Sequence, residues 1–158
     1  MPQITPNLWF DTEGKDAAEF YCSIVPNSRI NNVTYYGEAG PGETGTVLTV
    51  DFELDGERFT AINGGPHYKL TPAVSFMISC QDQDEVDYYW DKLLEGGGQA
   101  VQCGWLTDRF GLSWQVIPKQ LEELIGDPDP GRSQRAMTAM LGMVKIDIAA
   151  MRAAADGD

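Results

Sequence analysis

The chain opens on alternating apolar and polar positions. ITPNLWF, residues 4–10, reads as a strand with Thr5, Asn7 and Trp9 on one face and Ile4, Leu8 and Phe10 on the other. The period then lengthens. Ala17, Phe20, Tyr21 and Ile24 recur at helical spacing, predicting a helix over 15–24 that Pro26 stops. Residues 28–36 read as a second strand. TVLTVDFEL and ERFTAIN then flank Asp55-Gly56, a pair suited to a two-residue hairpin turn of type I′. Such a turn fixes the register and sets Glu53 opposite Arg58, Phe52 opposite Phe59, Asp51 opposite Thr60 and Val50 opposite Ala61. One face of the hairpin is apolar throughout; the other carries Thr49, Asp51, Glu53, Arg58, Thr60 and Ile62.

The same succession starts again at residue 73. AVSFMISC alternates as a strand, with Ser75 and Met77 opposite in facing to Val74, Phe76 and Ile78. A helix over 83–95 has capping-box spacing at Asp82 and Glu85, an apolar stripe through Val86, Trp90 and Leu93, and a stop at Gly96–Gly98. GQAVQCGWLT and GLSWQVIP supply further strands around an Asp-Arg-Phe-Gly turn, and Trp114 points toward the core in the alternation with Gln115. The chain therefore reads strand–helix–strand–strand–strand twice, over about 4–65 and about 73–118. This internal repeat predicts an α+β fold of two similar βαβββ modules. The region 1–118 is expected to form one domain, and 119–158 a helical tail packed on that domain or on a dimer partner. LEELI forms a short helix there, DPDPGRS breaks it, and 134–155 read as one methionine-rich amphipathic helix.

Composition narrows the functional classes. The formal charge is −13 and the pI about 4.3, a surface that repels phosphate backbones and disfavours nucleic acid. No apolar run approaches the ~20 residues that cross a bilayer, so no membrane partner is expected. MPQITPNLWF lacks a basic region followed by an apolar stretch, which makes the cytoplasm the expected compartment. Cys22, Cys80 and Cys103 are odd in number and widely spaced, and His67 is the sole histidine; neither a disulfide framework nor a cysteine–histidine zinc site follows. The loop GEAGPGETG, 37–45, lacks the Lys-Ser/Thr ending of a phosphate-binding loop. It reads as a connection free to fold over a pocket. No strand followed by Gly-x-Gly-x-x-Gly and a helix is present, so nothing matches the usual S-adenosylmethionine site.

The doubled βαβββ pattern resembles the vicinal-oxygen-chelate superfamily of glyoxalases, extradiol dioxygenases and bleomycin-resistance proteins. FDTEGKDAAEFY, INGGPHY, GWLTDRFGLSWQVIP and the tail segment KIDIAAM resemble its PhnB-like subfamily, also labelled 3-demethylubiquinone 3-methyltransferase-like. The resemblance implies a curved, cleft-forming sheet and a homodimer. In its metal-dependent members, His, Glu or Gln side chains of the first and last strands of each module hold a divalent ion. At those positions this chain carries Asn7, Trp9, Thr60 and Asn63, then Ser75, Met77, Ser113 and Gln115. Only Gln115 is of a known ligand type, and Asp51 adds a single carboxylate. Neutral amides and hydroxyls hold Fe²⁺, Ni²⁺ or Zn²⁺ poorly without imidazole or carboxylate support. No metal and no cofactor are expected.

The expected function is therefore metal-independent binding of a small molecule. Asn7, Trp9, Asp51, Thr60, Asn63, His67, Ser75, Met77, Trp105 and Gln115 are expected to line the cleft. The alternative is an enzyme of unknown reaction that uses the same cleft. In it His67, following the rigid turn Gly64-Gly65-Pro66, or a desolvated Asp51 handles a proton, although no catalytic residue is assigned. A third reading is a non-catalytic dimer whose tail helix engages a partner.

Overall fold

A computed structural model describes all residues, 1–158. Contacts divide the chain into two compact units, Met1–Leu70 and Thr71–Asp158. The first holds β1 (Asn7–Phe10), α1 (Gly14–Ile24), β2 (Arg29–Tyr35), β3 (Val47–Leu54) and β4 (Glu57–Asn63), with sheet order β1-β4-β3-β2. β1 runs parallel to β4, and the other pairs are antiparallel. The first strand is shorter than its alternation suggests. It begins at Asn7, whose side-chain amide donates back to the Thr5 carbonyl at 2.9 Å.

The expected hairpin is present in the expected register, Glu53 with Arg58 through Val50 with Ala61. Asp55 and Gly56 take φ of 49° and 86°, the two left-handed residues that a type I′ turn requires. The apolar face of this sheet lies against α1. Leu8, Phe10, Val50, Phe52 and Ala61 are buried there with Ala17, Tyr21 and Ile24. The opposite face stays open, leaving Trp9, Asp51, Thr60 and Ile62 half-buried.

The second unit repeats the plan: β5 (Ser75–Cys80), α2 (Gln83–Leu94), β6 (Gln99–Ala100), β7 (Trp105–Thr107) and β8 (Ser113–Pro118), in order β5-β8-β7-β6. α2 starts as its capping pattern dictates. Asp82 accepts from the Glu85 amide at 2.9 Å, and the Glu85 carboxylate accepts from the Gln81 amide at 2.8 Å. Trp114 is 3% exposed and belongs to the core, in line with its alternation.

The tail forms the expected short helix at LEELI, but 134–155 is not the single helix expected there. It forms α3 (Lys119–Ile125), α4 (Pro130–Leu141) and α5 (Ile148–Asp156). α4 begins inside DPDPGRS, where Asp129 caps the helix and Pro130 occupies its first turn, the position at which proline costs a helix nothing. Gly142 ends α4, and Asp147 caps α5 by accepting from Ala150. Between them, the carbonyls of Met143 and Val144 accept from the amides of Cys103 and Gly104 at 2.8 Å. A continuous helix would spend those carbonyls internally; the backbone of the 103–104 loop takes them instead. The tail packs on the end of β8: Ile117 of that strand is buried together with Leu121, Leu124, Ala136, Ile146, Met151 and Ala155. No helix is long and apolar enough to cross a membrane.

Candidate functional site

Three groupings emerge from the residues singled out in the sequence. The open face of the first sheet carries Asn7, Trp9, Asp51 and Thr60. Asn7 pairs with Thr60 and Asp51 with Thr60 across neighbouring strands. The Thr60 hydroxyl donates to Asp51 at 2.8 Å, and both residues line a small depression with Thr5, Asn31 and Arg58. Trp9 stands further along β1. Its indole nitrogen donates to the Gly65 carbonyl at 2.9 Å, and Tyr68 meets its ring edge-on at 4.9 Å. A side chain at position 64 would run into the Trp9 ring, so Gly64 is what permits the strand end to close over it.

The open face of the second sheet brings together Ser75, Met77, Trp105 and Gln115. The register sets Ser75 beside Ser113, with Met77 and Trp105 both beside Gln115. The Gln115 amide nitrogen donates to the Ser75 hydroxyl at 3.0 Å, leaving the Gln115 carbonyl and the Ser75 proton for other partners. Met77 is 50% exposed beside this polar pair, and Trp105 is half-buried. Ser113 sits on the same face, 2% exposed, and its hydroxyl has no hydrogen-bond partner. Sequence alternation places Ser113 on this face but carries no sign of the burial that leaves its hydroxyl unanswered.

Asn63 and His67 form the third group, at the end of β4. Asn63 is buried on the helix side and its amide is fully engaged. It accepts from the Gly14 amide at 2.8 Å and donates to the carbonyls of Thr12 and Val47 at 3.2 Å. It fastens the start of α1 to two strands. His67 is exposed and lines a cavity of about 440 Å³ shared with Asp11, Tyr36 and Glu43. Pro41, Gly42 and Glu43 of the loop 37–45 border that cavity. Nothing in the spacing of Asp11, Tyr36 and Glu43 signals that they meet there. The one local sign is the run of glycines after an aromatic residue: Gly40 and Gly42 both lie against the Tyr36 ring.

No three His, Cys, Asp or Glu side chains are gathered where they could hold one metal ion. The amide, hydroxyl and thioether groups on the strands do not fit a divalent transition ion. Gly40-Pro41-Gly42-Glu43-Thr44-Gly45 does spell Gly-x-Gly-x-x-Gly, but it joins β2 to β3. No helix N-terminus stands behind it to receive a nucleotide's phosphate or an analogous anion. Cys80 is fully buried and burial pushes its thiol up to about 12, which makes it an inert core residue. Cys22 is raised by burial as well.

Two βαβββ modules with this strand order define the glyoxalase/bleomycin-resistance fold of the vicinal-oxygen-chelate superfamily. Within it, the chain belongs to the PhnB-like family described as 3-demethylubiquinone-9 3-methyltransferase, whose model matches residues 2–117. A PhnB protein from Bacillus cereus is 32% identical, with a TM-score of 0.67 over 74% of this chain and 99% of that one. A protein from Pseudomonas aeruginosa is 19% identical, with a TM-score of 0.62 over 75% of this chain and 98% of that one. The fosfomycin resistance protein FosX from Listeria monocytogenes is 14% identical, with a TM-score of 0.55 over 77% of this chain and 94% of that one. These last two share the fold. No curated protein matches the chain.

Proposed function

We propose that this protein binds a small, uncharged organic molecule without a metal, and that the open face of the second sheet supplies its polar contacts. The carrying observation is the half-buried Ser75–Gln115 pair, whose Gln115 carbonyl and Ser75 proton are left for other partners beside the exposed Met77. Gln115 contributes an acceptor, Ser75 contributes a hydroxyl, and Trp105 and Met77 contribute apolar wall. This set matches a compact aromatic body bearing a carbonyl or hydroxyl, such as a quinone or a phenol. The open face of the first sheet, with Asn7, Trp9, Asp51 and Thr60, is a second surface of similar character. The donor inventory supports metal independence: amide, hydroxyl and thioether groups stand where metal-dependent relatives carry charged or imidazole ligands.

A thermal-shift screen of quinones, phenols and aromatic antibiotics, run with and without EDTA, tests this reading. Hits are expected to raise Tm in the wild type and to lose most of that shift in Gln115→Ala and Ser75→Ala. A full set of hits that survive both substitutions would move the site elsewhere, and hits that vanish with EDTA would make it a metal site.

A further inference from the structure

Three strands of the second sheet set two rows of side chains on its open face. Trp105, Gln115 and Met77 lie side by side across β7, β8 and β5, and Thr107, Ser113 and Ser75 form the next row. Neighbouring strands stand about 4.8 Å apart, so the backbones that carry Trp105 and Met77 are separated by roughly 10 Å. Side chains rise nearly perpendicular to a sheet. The indole and the thioether therefore wall a slot with Gln115 on its floor. Trp105 is half-buried and Met77 is 50% exposed, so both walls can be reached from solvent. A planar ring fits such a slot edge-on, its two faces against an aromatic and a thioether and one edge on the floor.

The floor presents one donor beside one acceptor. The Gln115 amide nitrogen donates to the Ser75 hydroxyl at 3.0 Å. That bond leaves the Ser75 proton and the Gln115 carbonyl oxygen to be used. Turning the amide over makes Ser75 donate to the Gln115 carbonyl, and the free groups become the amide nitrogen and the Ser75 oxygen. Either arrangement offers one donor and one acceptor. Neither row contains a charged residue, so nothing on this face favours an ionic group. A quinone edge carries only acceptors and answers half of the pair. A phenol meets both groups through one oxygen and stays free to swivel about its C–O bond. A cyclic secondary amide points C=O and N–H the same way in the plane of its ring, so two bonds fix the edge. We infer that the ligand of this face is an uncharged aromatic lactam or imide, read edge-on by Ser75 and Gln115 between Trp105 and Met77. This inference rests on the proposed use of the second sheet and narrows the ligand class within it.

The test titrates the ¹⁵N-labelled full chain with four benzo-fused probes of similar outline. Carbostyril carries the lactam, N-methylcarbostyril blocks its donor, coumarin replaces the N–H with an ether oxygen, and naphthol carries a single hydroxyl. Carbostyril is expected to shift the amides of Met77, Trp105 and Gln115 in a saturable manner. The other three should bind there at least roughly tenfold more weakly, the scale of one lost hydrogen bond. Gln115→Leu and Ser75→Ala should bring the carbostyril-to-coumarin ratio close to one, whereas Ser75→Thr, which keeps the hydroxyl, should preserve it. Amide spectra that superimpose away from this face confirm that each variant is folded. Coumarin, N-methylcarbostyril or naphthol binding as tightly as carbostyril at the same amides would overturn the inference and leave the sheet-face reading standing. A lactam preference that persists in Gln115→Leu would overturn it as well. Shifts from all four probes that fall wholly outside this face would remove the inference together with the reading it rests on.

Discussion

Asp108 shows how much one residue can hide in a turn. In the sequence it opens Asp-Arg-Phe-Gly and reads as a surface hairpin beside an arginine. In the structure it is 3% exposed, and its carboxylate accepts from Phe110 at 2.9 Å, Leu112 at 3.1 Å and the Trp114 indole at 2.9 Å. One side chain thus shapes the turn and pairs the buried polar atom of the largest core residue in β8. Asp108→Ala leaves all three donors without that acceptor. Buried unsatisfied donors cost roughly 1–3 kcal/mol each, with partial relaxation, so a loss of about 2–4 kcal/mol is expected. Urea unfolding followed by tryptophan fluorescence measures it. A change below about 1 kcal/mol would show that the turn holds without its carboxylate.

At the scale of elements, the sequence makes the modules legible because their signals are local. Period-2 alternation, the Asp55-Gly56 turn and the Asp82 cap each act within a few residues, and each is found where its pattern placed it. The tail reads less well because its decisive contacts are distant. Gln83 looks like an ordinary first-turn residue of α2. Its amide nitrogen donates to the Ile146 carbonyl at 3.0 Å, and its carbonyl accepts from the Ile148 amide at 2.9 Å. The latter is one of the first amides of α5, which have no partner within their own helix. Asp87 joins the same junction through Lys145 at 2.9 Å. Together with the Met143 and Val144 carbonyls taken by 103–104, these contacts explain why 134–155 bends into two helices. Gln83→Ala should destabilise the protein by about 2 kcal/mol and speed hydrogen exchange at the start of α5 more than in β5 or β8. Uniform acceleration across the unit would argue against a local staple. The candidate site was legible to the same extent. Alternation put Ser75, Met77 and Gln115 on one face, whereas the chamber around His67 depends on a loop closing over Tyr36, which no spacing encodes.

For the whole molecule, charge sets the response to acid. Glu53 is held below the ordinary carboxylate range by a hydrogen bond from Asn31 and by Arg29, Asp87 by Gln83 and Lys145, and Asp127 by the Asp129 amide and Arg132. A carboxylate whose folded pKa is depressed contributes stability above its unfolded pKa and loses it as pH falls through the folded value. Relief of the −13 repulsion works the other way as the pH approaches the pI near 4.3. Tm should therefore hold or rise slightly down to that point and fall steeply below about pH 4. The variant Glu53→Gln/Asp87→Asn/Asp127→Asn should show a shallower acid limb in scanning calorimetry; an identical limb would assign acid sensitivity to other groups. What the molecule carries is measured separately from how it stands up. Native mass spectrometry of untagged protein, incubated with the strongest hit of the thermal-shift screen and with equimolar Mn²⁺ and Zn²⁺, reads both possibilities in one spectrum. A one-to-one organic adduct that forms without metal and is depleted in Gln115→Ala is the predicted result. A stoichiometric metal adduct on which retention of the organic molecule depends would contradict it.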